Sequence, residues 1–152
     1  PGPNAFVIVL DHLKAGFNVP KIIRSAQAFG AAEIHLIAIG PFDPAPAKGA
    51  FKAVPARFFD DFSESYRTLR DGGYSLFTLE PEGGESLYDF RLPLKSAFVL
   101  GHEELGLSFD TREYPDIRAL TIPQPGKIQS LNVSVAASIV MYEHCRRHCG
   151  AI

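Results

Sequence analysis

The sequence predicts an α/β fold with a mostly parallel sheet flanked by helices, because strand-like and helix-like stretches alternate along it. The runs Ala5–Leu10 (AFVIVL) and Glu33–Ile39 (EIHLIAI) are largely apolar and rich in branched residues, as expected of strands buried on both faces. Between them, apolar residues recur at helical spacing from Ile22 to Phe29. This order of elements predicts a parallel pair of strands joined by a right-handed crossover.

The first helix carries signals at both ends. Asn18 lies at or near the N-cap, where a side-chain oxygen can accept a hydrogen bond from a backbone N–H group. Pro20 falls in the first turn, where its missing N–H group is not needed, and Gly30 suits the position after the last turn. We therefore expect the polar segment Asp11–Phe17 to be the loop between the first strand and this helix.

The next part of the chain has weaker patterns. Pro41–Pro46 predicts a loop broken by prolines, and Lys48–Val54 predicts a short helix that stops before Pro55. Arg57–Phe59 is a candidate for a short strand.

A clearer helix and strand follow. The pattern Asp61-x-x-Glu64 is typical of a capping box, and the helix that it opens is expected to end at Gly72–Gly73. Tyr74–Leu79 predicts the next strand, and the acidic, glycine-rich segment Glu80–Glu85 predicts a turn.

The last part of the chain combines two strands and a helix with loops that suit a ligand. Ala97–Leu100 and Ala119–Ile122 each stop at a loop containing glycine or proline, and the second loop leads into the helix Ser130–His148. Such loops expose backbone N–H groups to a nucleotide-sized ligand; ordinary strand-to-helix turns are the alternative. Ligands of parallel sheets bind beyond the carboxyl ends of the strands. The loops at those ends are Asp11–Asn18, Leu79–Gly84, Gly101–Gly106 and Pro123–Asn132.

Composition predicts a globular chain that forms one domain, residues 1–152. Hydrophobic residues make up 46% of the 152 residues and charged residues 21%, and no apolar run approaches the roughly 18 residues of a membrane span. The net charge of −2 does not by itself indicate a nucleic-acid binder. The first residues lack the basic segment of a signal peptide and only two cysteines occur, so we expect a cytoplasmic protein without a membrane partner.

The C-terminal sequence His144-Cys145-x-x-His148-Cys149 has two interpretations. Residues four apart share a helix face, so pairs of these side chains are suited to bind a metal ion. All four cannot converge from one helix, however, and a zinc site would need a partner chain. A plain helix end is the simpler interpretation, and we expect no metal site.

Three motifs occur in order at predicted strand ends and helix starts. They are Asn18…Arg24, Gly101-x-Glu103-x-x-Gly106 and Ile122-Pro123…Ser130-Leu131-Asn132-Val133-Ser134. Together they resemble the SpoU/TrmH family of SPOUT-class RNA 2′-O-ribose methyltransferases, and the third motif is the most specific. The likeness extends from Ala5 to about Tyr142.

The resemblance implies a fold and a cofactor that the residue patterns alone do not. It implies a C-terminal trefoil knot, which topology rules would otherwise disfavour. It also implies a homodimer with the knot near the interface, and S-adenosylmethionine bound by the knot loops.

The resemblance also implies roles for individual residues. Leu79 would close over the cofactor from the end of its strand, and Gly101 and Ile122 would offer their backbone to it. The full set implied for the cofactor is Leu79, Gly101, Glu103, Ile122, Ser130, Leu131 and Asn132. The polar residues implied around the reacting ribose are Asn18, Arg24, Glu103 and Asn132.

Two positions depart from the family pattern. Pro20 stands where the family usually has glycine, and proline fixes φ and removes a donor. The segment Lys14–Phe17 occupies a loop that is shorter in many members, so the rim that faces RNA is expected to differ.

The chemistry implied is an in-line methyl transfer, which needs alignment of the reactants and removal of a hydroxyl proton. Arg24 is the family's proposed proton acceptor, but a guanidinium is very hard to deprotonate. Binding of the phosphate beside the ribose, or stabilisation of the developing alkoxide, is the other role, and both stay open. Glu103 is a candidate to orient Arg24 through a charge-assisted hydrogen bond.

The sequence therefore predicts an S-adenosylmethionine-dependent RNA 2′-O-ribose methyltransferase, with tRNA favoured over rRNA as the substrate. An RNA-binding protein that keeps the fold without catalysis is the alternative. A Rossmann-type nucleotide enzyme is disfavoured because no G-x-G-x-x-G follows the first strand.

Overall fold

A seven-stranded sheet forms the centre of the protein, which a computed structural model describes over residues 2–14, 16–40, 54–126 and 131–148. All paired strands within it run parallel, in the order β3-β2-β1-β6-β4-β7-β5. The strands are β1 Phe6–Asp11, β2 Glu33–Ile37, β3 Ala56–Phe59, β4 Ser75–Leu79, β5 Glu85–Ser86, β6 Ser96–Leu100 and β7 Arg118–Thr121.

Within the described ranges, three α-helices flank the sheet: α1 Asn18–Ala28, α2 Phe62–Asp71 and α3 Val133–His148. A 3₁₀ turn, Thr111–Glu113, lies in the loop before β7. The prediction of a mostly parallel sheet flanked by helices is confirmed. Among the helices of the described ranges, none is both long and apolar enough to cross a membrane.

Side chains of β1 show how the layers are built. Every residue of this strand is buried, because it pairs with β2 on one edge and β6 on the other. Ile8 and its alternate neighbours face the core shared with α1 and α3, whereas Val7 and Val9 face the core shared with α2. The continuous apolar run AFVIVL is thus explained by burial on both faces.

The ends of the helices agree with the sequence in part. Asp61 caps α2 by accepting a hydrogen bond from the backbone N–H of Glu64 at 3.2 Å, as predicted. Asn18 lies next to the N-cap, within the expected range, but it does not cap the helix: the N-cap residue is Phe17, which makes no side-chain cap, and α1 begins at Asn18. Pro20 is buried in the first turn of α1, so the departure from the family pattern is compatible with this helix.

Other differences have local causes. Strand β2 stops at Ile37, two residues earlier than predicted, where Ala38 adopts φ +53° and cannot continue a strand. Helix α3 begins at Val133 rather than Ser130, because the Oδ1 atom of Asn132 accepts a hydrogen bond from the backbone N–H of Ser134.

Two elements were not predicted at all. Strand β5 begins at Glu85, the last residue of the segment expected to be only a turn, and the 3₁₀ turn has no apolar pattern to reveal it. The predicted loop Pro41–Pro46 lies outside the described residues, as does the predicted helix Lys48–Val54 apart from Val54.

Candidate functional site

A cavity of about 700 Å³ lies at the carboxyl ends of β4, β6 and β7, three neighbouring strands of the sheet. This volume is typical of small-molecule sites. Each strand contributes the residues that directly follow it, and the first turn of α3 closes the remaining side. The wall is formed by Leu79, Glu80, Pro81, Leu100, Gly101, His102, Glu103, Gly106, Leu107, Phe109, Ile122, Gln124, Leu131, Asn132, Val133 and Ala136.

The loop after β6 folds back on itself and needs two glycines to do so. His102 and Gly106 exchange backbone hydrogen bonds of 2.8 and 3.0 Å. A Cβ atom on Gly101 would lie 2.8 Å from the backbone of Gly106, which is too close, and Gly106 itself adopts φ +75°. The glycines of the Gly-x-Glu-x-x-Gly motif are therefore required by the shape of this wall.

Two consecutive residues at the end of β1 hold this loop in place. Asp11 is fully buried, and its carboxylate accepts hydrogen bonds from the backbone N–H and the hydroxyl of Ser108 at 2.6 and 2.7 Å. The ring of His12 donates from Nε2 to the carbonyl of Gly106 at 2.7 Å. Since Asp11 and Ser108 are 97 positions apart, only the fold brings them together.

The charges in the cavity wall are all negative among the described residues that line it. Glu80 is half-buried and Glu103 is exposed, while no lysine or arginine takes part. Burial raises the pKa of the Glu80 carboxyl. The Nδ1 atom of His102 accepts from two backbone N–H groups, those of Glu104 and Leu105, so it carries no proton.

Two side-chain oxygens are buried with no hydrogen-bond partner among the described residues, one in the cavity wall and one on α1. They are Oε1 of Gln124, in the cavity wall, and Oδ1 of Asn18, at the start of α1. Buried acceptors are normally paired, so each one suits a ligand that brings an N–H or O–H donor. The cavity, through Gln124 and its two glutamates, thus fits a ligand that has hydrogen-bond donors and a positive charge.

Most residues implied for the cofactor meet at this cavity. Leu79, Gly101, Glu103, Ile122, Leu131 and Asn132 all line it. Ser130 lies outside the described residues.

Asn132 lines the cavity and also caps α3. Its Oδ1 accepts hydrogen bonds from the backbone N–H and the hydroxyl of Ser134, at 2.8 and 2.5 Å. No described residue accepts a hydrogen bond from its Nδ2 group.

The other two residues implied for catalysis, Asn18 and Arg24, do not line the cavity. Arg24 is exposed on α1, and no described residue forms an ion pair or hydrogen bond with it. Sequence reasoning placed all four polar residues around one ribose, and a single chain brings only Glu103 and Asn132 to the cavity wall.

Sequence reasoning also missed wall residues. Glu80, His102 and Gln124 were not singled out, although each lies in a loop expected at the carboxyl end of a strand. Their position immediately after predicted strands is the signal that would have found them.

A second, mainly apolar groove of about 480 Å³ lies between α1 and α3. Its exposed apolar residues are Val135 and Tyr142, which are 45% and 57% exposed. The hydroxyl groups of Ser25 and Ser138 meet across its floor at 3.0 Å. The first turns of α3 therefore face the cavity on one side and this groove on the other.

The histidines at the end of α3 pair with backbone rather than with each other. His144 and His148 donate from Nε2 to the carbonyls of Leu94 and Leu92, at 2.9 and 2.7 Å. Within the described ranges, no three His, Cys, Asp or Glu side chains are grouped to hold a metal ion. Cys149 lies outside these ranges.

Comparison with known proteins places these features in a family. A family model described as the SpoU rRNA Methylase family matches residues 5–142. The 23S rRNA (guanosine-2′-O-)-methyltransferase RlmB of Xylella fastidiosa is 34% identical over 151 residues, which cover 96% of this chain and 60% of that protein. The chain thus spans about 60% of the length of this curated relative.

Two solved structures are similar over nearly the whole chain. The SpoU methyltransferase AviRb from Streptomyces viridochromogenes, in complex with the cofactor AdoMet, is 26% identical with a TM-score of 0.85, and the match covers 100% of this chain and 61% of that one. A structure described as giving insights into the 2-OH methylation of C/U34 on tRNA is 27% identical with a TM-score of 0.83, and the match covers 99% and 100%. Since the family model also matches most of the sequence, this chain belongs to the SpoU rRNA methylase family.

Proposed function

We propose that the protein transfers a methyl group from S-adenosylmethionine to a ribose 2′-hydroxyl of RNA. The observation that carries this proposal is the cavity at the ends of β4, β6 and β7, because six residues implied by the family motifs line it. The similarity to AviRb, which binds AdoMet, supports the same ligand here.

The residues present fit S-adenosylmethionine. Gly101, Ile122 and Leu131 would hold it through backbone groups and apolar contact, and the unpartnered Oε1 of Gln124 would accept from one of its N–H or O–H donors. The negative wall suits its net positive charge. When bound, it supplies an activated methyl group on a positively charged sulfur.

The chain's own polar residues then act on the ribose. Asn132 offers Nδ2 as a donor at the cavity wall, beside Glu103. Arg24 either binds the phosphate next to the target ribose or stabilises the alkoxide as the hydroxyl loses its proton. We favour these roles over proton acceptance, because an arginine has a pKa above about 12.

We propose a homodimer, since Arg24 does not line the cavity of its own chain. A second copy seated in the groove between α1 and α3 would cover Val135 and Tyr142. The first turns of α3 border both the groove and the cavity, so Arg24 of one protomer would approach the cavity of the other.

Mixing two inactive variants tests this arrangement. Arg24→Ala and Asn132→Ala protomers, unfolded and refolded together, would form heterodimers in which one of two sites is intact. We expect about a quarter of the wild-type activity to return, since half of the dimers are mixed. If both residues act within one chain, no activity returns.

We propose tRNA rather than rRNA as the substrate. The tRNA-related structure is matched over its whole length, whereas RlmB is matched over 60% of its length. Methyl incorporation into isolated tRNA and into rRNA, with labelled donor, tests this choice. Incorporation into rRNA alone would reverse it.

Three further proposals come from the resemblance. They are a C-terminal trefoil knot near the dimer interface, a single methyltransferase domain over residues 1–152, and a cytoplasmic location. The likeness to SpoU methyltransferase structures supports the fold within which such a knot would form.

The first experiment is a calorimetric titration of S-adenosylmethionine into the wild type and Asn132→Ala. We expect binding by the wild type and loss of binding in the variant, because Asn132 both faces the cavity and caps α3. Ser134→Ala, which removes the hydroxyl bonded to Asn132 but keeps the backbone cap, is the control for loss of that side-chain bond alone. A folded wild type that binds RNA but transfers no methyl group would support the non-catalytic alternative instead.

A further inference from the structure

We infer that Glu80 is a further binding residue for the methyl donor, and that it favours the positively charged donor over the neutral-sulfur product. The inference rests on the proposed function, because it concerns the same cavity. Nothing in the family motifs pointed to this residue.

The position of Glu80 is fixed although its side chain is unpaired. It directly follows β4, and its backbone N–H donates to the carbonyl of Leu120 on β7 at 2.8 Å. Its side chain is half-buried in the cavity wall. No described residue forms a hydrogen bond or ion pair with its carboxylate.

The surrounding charges leave the Glu80 carboxylate uncompensated. Glu103 is the other charged residue among the described residues of the wall, and it is negative too. Most of the remaining wall is glycine or apolar side chain, which does not stabilise an ion. Burial raises the pKa of Glu80, as expected of a carboxylate without a positive neighbour. A positively charged ligand would supply that neighbour.

The donor and its product differ in charge at one atom. S-adenosylmethionine carries a sulfonium, whereas S-adenosylhomocysteine has a neutral thioether, and the rest of the two molecules is the same. A carboxylate near the sulfur therefore attracts only the donor, whereas one near the ribose or the amino group attracts both equally. Glu103 is exposed, so water screens its charge more strongly than that of Glu80.

This arrangement has a consequence for turnover. When the methyl group leaves, the sulfur loses its charge and the attraction to Glu80 is lost. Product release limits the turnover rate of many enzymes. A cavity that binds the product less tightly than the donor therefore speeds its release.

Calorimetric titration of both ligands tests the inference on the wild type, Glu80→Gln and Glu82→Gln. Glu82 is the matched control, because it lies in the same loop but is exposed and does not line the cavity. We expect Glu80→Gln to weaken donor binding about tenfold and to leave product binding within about twofold, and Glu82→Gln to change neither. Thermal unfolding of each variant checks that it is folded.

The same titrations distinguish a failure of this inference from a failure of the proposed function. Equal weakening of donor and product by Glu80→Gln, or no change in either, overturns this inference and leaves the proposed function in place. A folded wild type that binds neither ligand overturns the proposed function as well.

Discussion

Two polar clusters of this protein differ in how their hydrogen-bonding groups are satisfied. The first, which we name the β2 cluster, consists of Glu33, His35 and Ser65. His35 is fully buried, and both of its ring nitrogens have partners at 2.7 Å. Burial lowers the pKa of His35, so the ring is neutral: Nε2–H donates to the Glu33 carboxylate and Nδ1 accepts from the Ser65 hydroxyl.

The second cluster is the wall of the cavity, where two polar side chains lack hydrogen-bond partners among the described residues of the protein. Within the described residues, Oε1 of Gln124 is buried without a partner and nothing pairs with the carboxylate of Glu80. Nearby, His12 adopts φ +47°, which is uncommon for a residue other than glycine. Such strain is more common at binding sites than in the rest of a fold.

The two clusters differ in whether their polar groups are paired within the protein, and this difference separates groups that stabilise the fold from groups that suit a ligand. The β2 cluster has the residue types of a hydrolytic triad, but Ser65 is fully buried and cannot meet a substrate. Its complete pairing indicates a structural role. Incomplete pairing beside an open cavity indicates a binding role, and residue type alone would not have separated the two.

The largest effect on stability is expected at the β2 cluster. His35→Ala would leave the buried hydroxyl of Ser65 without its partner and create a void beside Phe59, whose ring is 4.7 Å away. We expect a loss of about 3 kcal/mol in the free energy of unfolding, measured in urea, with donor affinity unchanged. Arg57→Ala, which removes an exposed ion pair of 3.7 Å with Glu33, is the control and should cost less than about 1 kcal/mol. A similar cost for both variants would contradict a structural role.

A smaller loss of stability is expected at the hydrogen bonds between Asp11 and Ser108, which both stabilise the fold and position the cavity loop. Asp11→Ala removes two charge-assisted hydrogen bonds to Ser108 and frees the loop that contains Gly101. We expect a loss of about 2 kcal/mol in stability and donor binding weakened about tenfold. Ser108→Ala removes only the hydroxyl bond and should show about half of the stability loss. Unchanged donor affinity in Asp11→Ala would show that this pairing does not position the loop.

Substitution of Gln124 should have the opposite pattern to substitution of His35: a small change in stability and a large change in donor binding. Gln124→Leu removes a buried oxygen that no described residue pairs with, so stability should stay within about 0.5 kcal/mol of the wild type or rise. Donor binding should weaken about tenfold, because the hydrogen bond to the ligand is lost. The exposed Gln27→Leu on α1 is the control for a simple change of polarity. A large loss of stability in Gln124→Leu would place this residue with the structural cluster.

The smallest effect is expected from pH. The pKa of His35 is lowered by burial from its ordinary value of 6.5, and that of His144 is lowered for the same reason. Below about pH 6.5 the unfolded chain therefore binds more protons than the folded chain, and stability falls as the pH falls. Urea unfolding at about pH 7 and pH 5.5 should show a shallower decline in His35→Gln than in the wild type, with His144 responsible for part of what remains. Equal declines would mean that His35 does not contribute.

Much of the fold was predictable because its signals are local. Strands buried on both faces show as continuous apolar runs, and β1, β2 and β6 were found in that way. Strand β5 was missed because its two residues make too short a pattern, and its pairing with β7 is formed only in the sheet.

The site was predictable where a motif identified it. Motif residues such as Gly101, Ile122 and Asn132 do line the cavity. Glu80 and Gln124 were not singled out, because an acidic turn and a polar residue after proline are common in loops, and only their place after a strand marks them. Their importance comes from burial and from the lack of partners, which the sequence does not show.

The sequence by itself determined the class of fold, the strands of the central sheet other than β5, and the motifs of the SpoU family, because each depends on residues close together in the chain. The tertiary structure decided the strand order, which places the loops after β4, β6 and β7 around one cavity. It also decided the pairing of Asp11 with Ser108, and it placed Arg24 and Asn18 outside the cavity wall of their own chain. The physical reason is that pairing and burial depend on contacts between distant segments, which local periodicity does not encode.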